Sequence, residues 1–207
     1  MTDDLKQLCE RFEHFETDAW AVDAILRVEL LTPFVVDPCA GTGIMTRAAR
    51  RAGYSVQALD IHNWGQNYPI HNWLEHSEQI AQMVRGNSVF INPPFTKSED
   101  FIKQAVAYGA RKIVCFQKFS WYEGERDKGK KRGQFWDLLP PSRIYVCGSR
   151  ATCWRHDVPA AERVDAKGNP KTTPTTYAWF VWEEGQPAGT LIGRIYKPGA
   201  SQIAGAQ

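Results

Sequence analysis

The sequence lacks the features that mark membrane, secreted or metal-binding proteins. Among its 207 residues the longest apolar run, Tyr177–Trp182, is far too short to span a bilayer, and its acidic start is not typical of a signal peptide. Its five cysteines are scattered without a CxxC pair, so we expect free thiols rather than disulfides or a zinc site. These features predict a cytoplasmic protein with no bound metal and no membrane partner.

A strong excess of charge of either sign is also lacking. The chain has 25 Lys and Arg against 23 Asp and Glu, a net charge of +2, so any surface for nucleic acid would have to be local. Its 43% hydrophobic and 23% charged residues are typical of a soluble globular protein. The length is that of one domain, predicted over residues 1–207.

What the chain has instead is a short apolar run that ends in a rigid polar corner. Val89–Ile91 predicts a buried strand, and the two prolines of Asn92-Pro93-Pro94-Phe95 must end it. The Asn92 amide oxygen and the Pro93 carbonyl are acceptors, and the Phe95 ring is a stacking platform. Together they suit a ring-bound amino group such as that of a nucleobase. A plain strand cap with a turn is the alternative.

A second feature lies upstream of this corner. Phe34–Val36 predicts a strand that opens into Asp37-Pro38-Cys39-Ala40-Gly41-Thr42-Gly43, followed by a helix and by a strand, Ser55–Leu59, that ends at Asp60. Such a unit binds a nucleoside-containing cofactor, with the final acid on the ribose hydroxyls. A dinucleotide site is not predicted, because Thr46 stands at the third glycine position. A purely structural βαβ unit is the alternative.

These two motifs, in this order, resemble those of the S-adenosylmethionine-dependent DNA amino-methyltransferases. More narrowly, they resemble the small adenine-N6 enzymes of phages and prophages, with the gamma order of motifs. Phe15–Trp20 is similar to the family's N-terminal cofactor motif, although Asp18 replaces its usual proline. The likeness runs from about Phe15 to Trp182 and so covers most of the chain.

The resemblance implies an α/β fold of the three-layer, Rossmann-like class I methyltransferase type. Its sheet would be mostly parallel and would end in a C-terminal β-hairpin, here Thr176–Trp182 with Thr190–Tyr196. The short interval between Asp60 and Val89 leaves little room for a full third strand, so we expect that part of the sheet to be reduced. His62, His71 and His76 in this interval are interpreted as surface or packing residues.

The resemblance also implies roles for individual residues. The catalytic corner would be Asn92, Pro93, Pro94 and Phe95. The methionine end of S-adenosylmethionine and its loop would be held by Thr17, Trp20, Asp37, Pro38, Gly41 and Gly43. Asp60 would hold the ribose, with Ile61 beside the adenine. The family often has a further acid that contacts the adenine, and the best match here is Asn72, in Asn72-Trp73-Leu74.

A basic segment, residues 118–132, follows the predicted core strands. It has six Lys or Arg against three Asp or Glu and is interleaved with aromatic residues. Such a segment can track phosphates while an aromatic ring stacks on a base. The candidate nucleic-acid contacts are Lys118, Trp121, Tyr122, Arg126, Lys128, Lys130, Lys131 and Arg132. A solvated loop is the alternative, and residues 197–207 are expected to form a mobile tail.

The function predicted from these motifs is methyl transfer from S-adenosylmethionine to N6 of adenine in DNA. Little chain remains for a recognition domain, so we expect a short or loose sequence preference. RNA adenine, cytosine N4 and protein glutamine are alternative methyl acceptors. A catalytically silent protein that binds the cofactor and nucleic acid is the alternative of another class.

Overall fold

The computed structural model describes residues 3–123, 132–187 and 189–200, in which α-helices and β-strands alternate. The helices are α1 Asp3–Arg11, α2 Ala19–Val28, α3 Ile44–Arg51, α4 Glu78–Val84, α5 Ser98–Ala107 and α6 Arg132–Leu138. The strands are β1 Phe15–Thr17, β2 Phe34–Asp37, β3 Ser55–Ala58, β4 Ser88–Ile91, β5 Lys112–Lys118, β6 Arg143–Cys147, β7 Cys153–Arg155, β8 Tyr177–Glu183 and β9 Leu191–Ile195. None of the described helices is both long and apolar enough to cross a bilayer.

Seven of the described strands form the central sheet, in the order β3-β2-β4-β5-β8-β6-β9. β8 is antiparallel to both of its neighbours, β5 and β6, whereas every other pair in the sheet is parallel. The expected Rossmann-like, mostly parallel α/β fold is therefore confirmed. Because β2 and β4 are adjacent, the two motifs that follow them lie side by side at the carboxyl edge of the sheet.

The predicted C-terminal hairpin between residues 176–182 and 190–196 is wrong. β6 lies between β8 and β9, pairing antiparallel with β8 and parallel with β9. On this side β8 therefore pairs antiparallel with β6, from which it is separated by almost 30 residues of chain. Proximity in sequence suggested the hairpin, but β9 instead extends the sheet beyond β6 as its edge strand.

The third strand is reduced, as the short interval after Asp60 predicted. It consists of one parallel bridge between Asp60 and Ile70, flanked by hydrogen bonds from Asp60 N to Pro69 O (3.2 Å) and from His71 N to Asp60 O (2.8 Å). The stub ends at the same edge of the sheet as β2 and β3. It therefore brings His71 beside the acid that ends the second strand.

Helices cover both faces of the sheet. α2 and α3 pack on one face, and α4, α5 and α6 pack on the other. Strand periodicity distributes the core between the two layers: Val89 and Ile91 of β4 face the second set of helices, whereas Phe90 faces the first. The sheet is thus buried on both sides, and the carboxyl ends of its strands form an edge where a ligand can bind.

A second, two-stranded sheet lies over that edge. β1 pairs antiparallel with β7, and Glu16 of β1 accepts hydrogen bonds from Thr42 in the glycine loop (3.2 Å) and from Arg163 (3.1 Å). The first helix ends at Arg11, so residues 12–17 can cross the edge of the main sheet. This small sheet has no signal in local periodicity, because each strand has only three residues.

The opposite edge of the main sheet holds a buried ionic cluster. Lys112 Nζ lies 3.0 Å from Glu29 Oε2 and 3.0 Å from Glu183 Oε1, and the Arg143 guanidinium contacts both carboxylates. Tyr145 donates to Glu29 at 2.8 Å. Burial raises the pKa of Glu29, but hydrogen bonds from Arg143, Lys112 and Tyr145 outweigh it and hold that pKa below its usual value.

Candidate active site

The corner after β4 fixes the orientation of the Asn92 amide. Asn92 Nδ2 donates to the backbone oxygen of Phe15 (3.0 Å) and to Thr17 Oγ1 (2.9 Å), both in β1. A backbone carbonyl can only accept, so the nitrogen must face β1 and the oxygen must face away from it. Asn92 Oδ1 is buried and has no hydrogen-bond partner among the described residues. The corner therefore presents a preoriented acceptor.

The Phe95 ring, three residues after Asn92, contacts two other side chains. The Phe15 ring stacks on Phe95 with centroids 5.1 Å apart and planes 29° apart. The ammonium of Lys118 lies over the Phe95 ring, 4.7 Å from its centroid. A base that stacks where Lys118 lies therefore requires this flexible side chain to move.

The glycine loop between β2 and α3 begins directly after Asp37 and turns tightly at its two glycines. Gly41 and Gly43 have φ of 53° and 85°, values that favour glycine. The Asp37 carboxylate accepts from Thr46 through Oδ2 (2.7 Å), whereas its buried Oδ1 has no partner among the described residues. Burial raises the pKa of Asp37 to about 7, and the nearby Asp60 adds to the effect. A cationic ligand group at Oδ1 would stabilise the ionised carboxylate and so lower the pKa of Asp37.

Asp60 lies at the end of the second strand, where it was expected. Its Oδ2 accepts from Gly41 N (2.8 Å), and its Oδ1 accepts from His62 N and from the Trp64 indole, each at 3.0 Å. Burial raises its pKa. A carboxylate has about four acceptor sites, so one remains for a ribose hydroxyl and displacement of the Trp64 indole would free another.

A cavity of about 330 Å³ joins the two motifs. That volume is within the range of sites that enclose a ligand of drug or cofactor size. Nine of the predicted cofactor and catalytic residues line it: Thr17, Asp37, Pro38, Gly41, Asp60, Ile61, Asn72, Asn92 and Pro94. Cys39 links the two halves, because its thiol donates to the backbone oxygen of Asn92 at 3.2 Å.

Four predicted residues do not line the cavity. Gly43 is the N-cap of α3 and lies against the Tyr68 hydroxyl, Pro93 is buried, and Phe95 packs against the Phe15 ring. Trp20 was expected to cover the methionine end of the cofactor. It is 8% exposed, packs in the core with α2, and donates from its indole to Asp18 at 3.1 Å. Trp20 therefore belongs to the core of the fold and does not line the cavity.

Several aromatic residues that were not assigned to the site also line the cavity, among them His14, Trp64 and His71. His14 lies directly on the glycine loop, since a Cβ added at Gly41 would be 2.6 Å from its Nε2. Burial, with a contribution from His156, lowers the pKa of His14 to about 4, so its imidazole is neutral at pH 7. His14 Nδ1 and His71 Nε2 are both buried without a partner among the described residues.

The basic segment is described only in part. Arg126, Lys128, Lys130 and Lys131 lie outside the described residues, and Arg132 begins α6 with an undescribed side chain. Trp121 was expected to stack on a base, but it is 5% exposed and packs against Trp136 and Phe180. Trp121 therefore belongs to the core in this structure. Tyr122 is half-buried against the same two rings, which leaves Lys118 as the predicted contact nearest the corner.

Metal ligands are not gathered anywhere in the described part of the chain. No group of three or more His, Cys, Asp or Glu side chains there is arranged to hold an ion. The five cysteines are all free thiols. Burial raises the pKa of Cys153 to about 12, so this thiol near Asn92 is not ionised at neutral pH.

Comparison with solved structures supports the fold. The methyltransferase subunit of a type I restriction-modification system from Streptococcus thermophilus has a TM-score of 0.54 at 9% identity, covering 81% of this chain and 43% of that one. The M protein of the type I restriction enzyme EcoKI has a TM-score of 0.52 at 12% identity, covering 82% and 44%. A candidate hemolysin from Lactococcus lactis has a TM-score of 0.52 at 11% identity, covering 83% and 91%.

The chain spans less than half the length of these two methyltransferase subunits. No protein-family model matches the sequence, and no curated protein does. At 9–12% identity the likeness establishes a shared fold, and one fold can serve several functions. What the site does must therefore be argued from its residues.

Proposed function

We propose that this protein binds S-adenosylmethionine and transfers its methyl group to N6 of adenine in DNA, with a short or loose sequence preference. The observation that supports this most is the Asn92 amide oxygen, which is buried, oriented by β1 and without a partner among the described residues. An exocyclic amine is a donor that such an acceptor fits. The type I methyltransferase subunits of the same fold make DNA the favoured nucleic acid.

The residues of the glycine loop fit the proposed cofactor. Asp37 Oδ1 is a buried acceptor that suits an ammonium group, such as that of a methionine moiety. Asp60 follows Gly41 by 19 residues and retains acceptor capacity, which suits ribose hydroxyls. The bound cofactor would supply an electrophilic methyl group. The chain's own residues would supply the geometry of the acceptor amine.

The work of the corner is to orient that amine. The lone pair of an adenine amine is delocalised into the ring, which makes it a poor nucleophile. Acceptance of its two hydrogens by Asn92 Oδ1 and the Pro93 carbonyl would hold the nitrogen with its lone pair directed at the methyl group. Two neutral acceptors can do this without a strong base, so positioning provides most of the rate enhancement.

The target base must leave the duplex, which costs a few kcal/mol. Stacking on Phe95 offsets about 1–3 kcal/mol of that cost. Lys118 would leave the face of Phe95 as the base arrives, and a phosphate is its natural alternative partner. Stacking of a base on Phe95 would thus be coupled to movement of Lys118, the first residue of the basic segment.

The test is transfer of labelled methyl from S-adenosylmethionine to matched DNA and RNA substrates, followed by nucleoside analysis. Label in N6-methyladenine of DNA supports the proposal, provided that the Asn92→Ala variant gives far less of it. Label only in RNA would keep the chemistry and change the substrate. Cofactor binding without label on either nucleic acid would contradict the proposal in favour of a silent binder.

A further inference from the structure

His71 occupies a position in the cavity that the sequence motifs do not identify. It follows the single-bridge third strand, and its backbone N–H donates to the backbone oxygen of Asp60 at 2.8 Å. Its side chain lines the cavity, and Nε2 is buried with no hydrogen-bond partner among the described residues. An unpaired buried polar atom costs free energy, and one that lines a cavity is available to pair with a ligand there.

Asn72, the residue expected at this place from the motif, is already engaged. Its Nδ2 donates to Glu75 Oε1 at 3.0 Å, and its Oδ1 accepts from Leu74 N at 3.2 Å. These bonds form a local turn that places the buried Trp73 in the core. The Asn72 amide therefore bonds within the turn after the third strand, to the Glu75 carboxylate and the Leu74 backbone, although the residue lines the cavity.

The direction of a bound nucleoside follows from the order of the anchors along the sheet edge. The glycine loop follows β2, Asp60 follows the neighbouring β3, and the third-strand stub lies beyond it on the same side. A ligand with its polar tail at Asp37 and its ribose at Asp60 would continue toward that stub with its base. His71 is the side chain at the end of the stub with an unpaired buried polar atom.

We propose that His71, rather than Asn72, recognises the adenine of the cofactor by accepting a hydrogen bond from its exocyclic amine at Nε2. This rests on the function proposed above. A buried N–H without an acceptor is rarer than a bare acceptor, which favours the tautomer with the proton on Nδ1. The cavity would then discriminate against a base that carries a carbonyl in place of the amine.

The experiment compares two ligands that differ at this group, S-adenosylhomocysteine and S-inosylhomocysteine. Their affinities are measured by calorimetry on the whole chain and on its His71→Ala, His71→Gln and Asn72→Ala variants. We expect the unmodified protein to prefer the adenosine ligand by about tenfold, the gain of one well-placed hydrogen bond. His71→Ala should lose this preference, and Asn72→Ala should keep it.

His71→Gln separates recognition from packing, because its amide oxygen can also accept from an amine. Partial recovery of the preference in this variant is expected, whereas a purely structural histidine would leave the ratio of the two affinities unchanged throughout. A His71→Ala variant that retains the full preference would overturn the inference. Binding of neither ligand by the unmodified protein would overturn the proposed function itself, and the inference with it.

Discussion

The two edges of the central sheet treat buried polar groups in opposite ways. At the amino edge, Glu29, Lys112, Arg143 and Glu183 satisfy one another in a closed ionic cluster. At the carboxyl edge, Asp37, Asn92 and His71 each keep a buried polar atom without a partner among the described residues. Glu29 and Asp37 are both buried, at 4% and 1% exposed, so the difference between these two acids does not arise from exposure.

This contrast separates groups that maintain the fold from groups that are kept for a ligand. A buried charge that is fully paired contributes to stability in the sense that removing its partner leaves an uncompensated buried charge and lowers the free energy of unfolding. A buried acceptor without a partner weakens the fold until something binds it, so it persists where function requires it. Substitutions at the two edges should therefore change different measured quantities.

The largest effect on stability is expected from Glu29→Ala. The substitution leaves Lys112 and Arg143 with only Glu183 as a carboxylate partner, which should cost about 3–5 kcal/mol in the free energy of unfolding measured with urea. Asp23→Ala is the matched control, because its ion pair with Arg51 is exposed and should contribute less than about 1 kcal/mol. Equal losses in the two variants would contradict the distinction between the edges.

Asn92→Ala should have the opposite profile. Methyl transfer should fall by about 100- to 1000-fold, the usual effect of removing one preoriented polar group from an active site. The free energy of unfolding should fall by only about 1 kcal/mol, because only the bonds to β1 are lost. Asn87→Ala, at the other end of the same strand, is the control: it removes a bond to Met83 O and should leave transfer unchanged.

Much of the carboxyl edge could be predicted from sequence because its parts are contiguous. The glycine turn and the corner after β4 are local patterns, and adjacent parallel strands bring their ends together. His14 and His71 could not be found in this way. The position of His14 depends on the end of α1 at Arg11. The position of His71 depends on a third strand that is reduced to a single bridge.

The incorrect predictions share a physical cause, which is burial or pairing imposed by distant chain. Trp121 lies among charged residues in sequence, yet Trp136 of α6 and Phe180 of β8 enclose it. β8 and β9 are neighbours in sequence, yet β6 lies between them in the sheet. Strand order and the burial of a single ring depend on tertiary contacts that local periodicity does not encode.

The affinity for the cofactor should depend on pH through the unpaired Asp37 carboxylate. Burial raises the pKa of Asp37 to about 7, and only the ionised carboxylate favours an ammonium group. Affinity for S-adenosylhomocysteine should therefore fall by about tenfold per pH unit below about 7. It should level off above that pH, where the carboxylate is ionised. Calorimetry between about pH 5 and pH 8, on either side of that pKa, measures this profile, and a flat profile would argue against Asp37 as the anchor.

The stability of the Asp37→Asn variant should change with pH, and the sign of that change is the informative part. Because the folded-state pKa of Asp37 is raised, the native carboxyl binds its proton more tightly than the unfolded one, so wild-type stability falls as the pH rises from about 4 to about 7. An asparagine cannot ionise, so the free energy of unfolding of the variant should rise relative to that of the wild type between pH 5 and pH 8, by about 1.4 kcal/mol per pH unit until about pH 7.

The same Asp37→Asn variant should bind S-adenosylhomocysteine more weakly, and without the acid-side dependence on pH. Thermal unfolding at the two pH values, paired with calorimetry, tests both expectations on one protein. A variant that is more stable yet binds less is the outcome expected of a carboxylate kept for a ligand. Loss of stability at pH 8 would instead place Asp37 with Glu29, as a buried acid whose charge the fold requires.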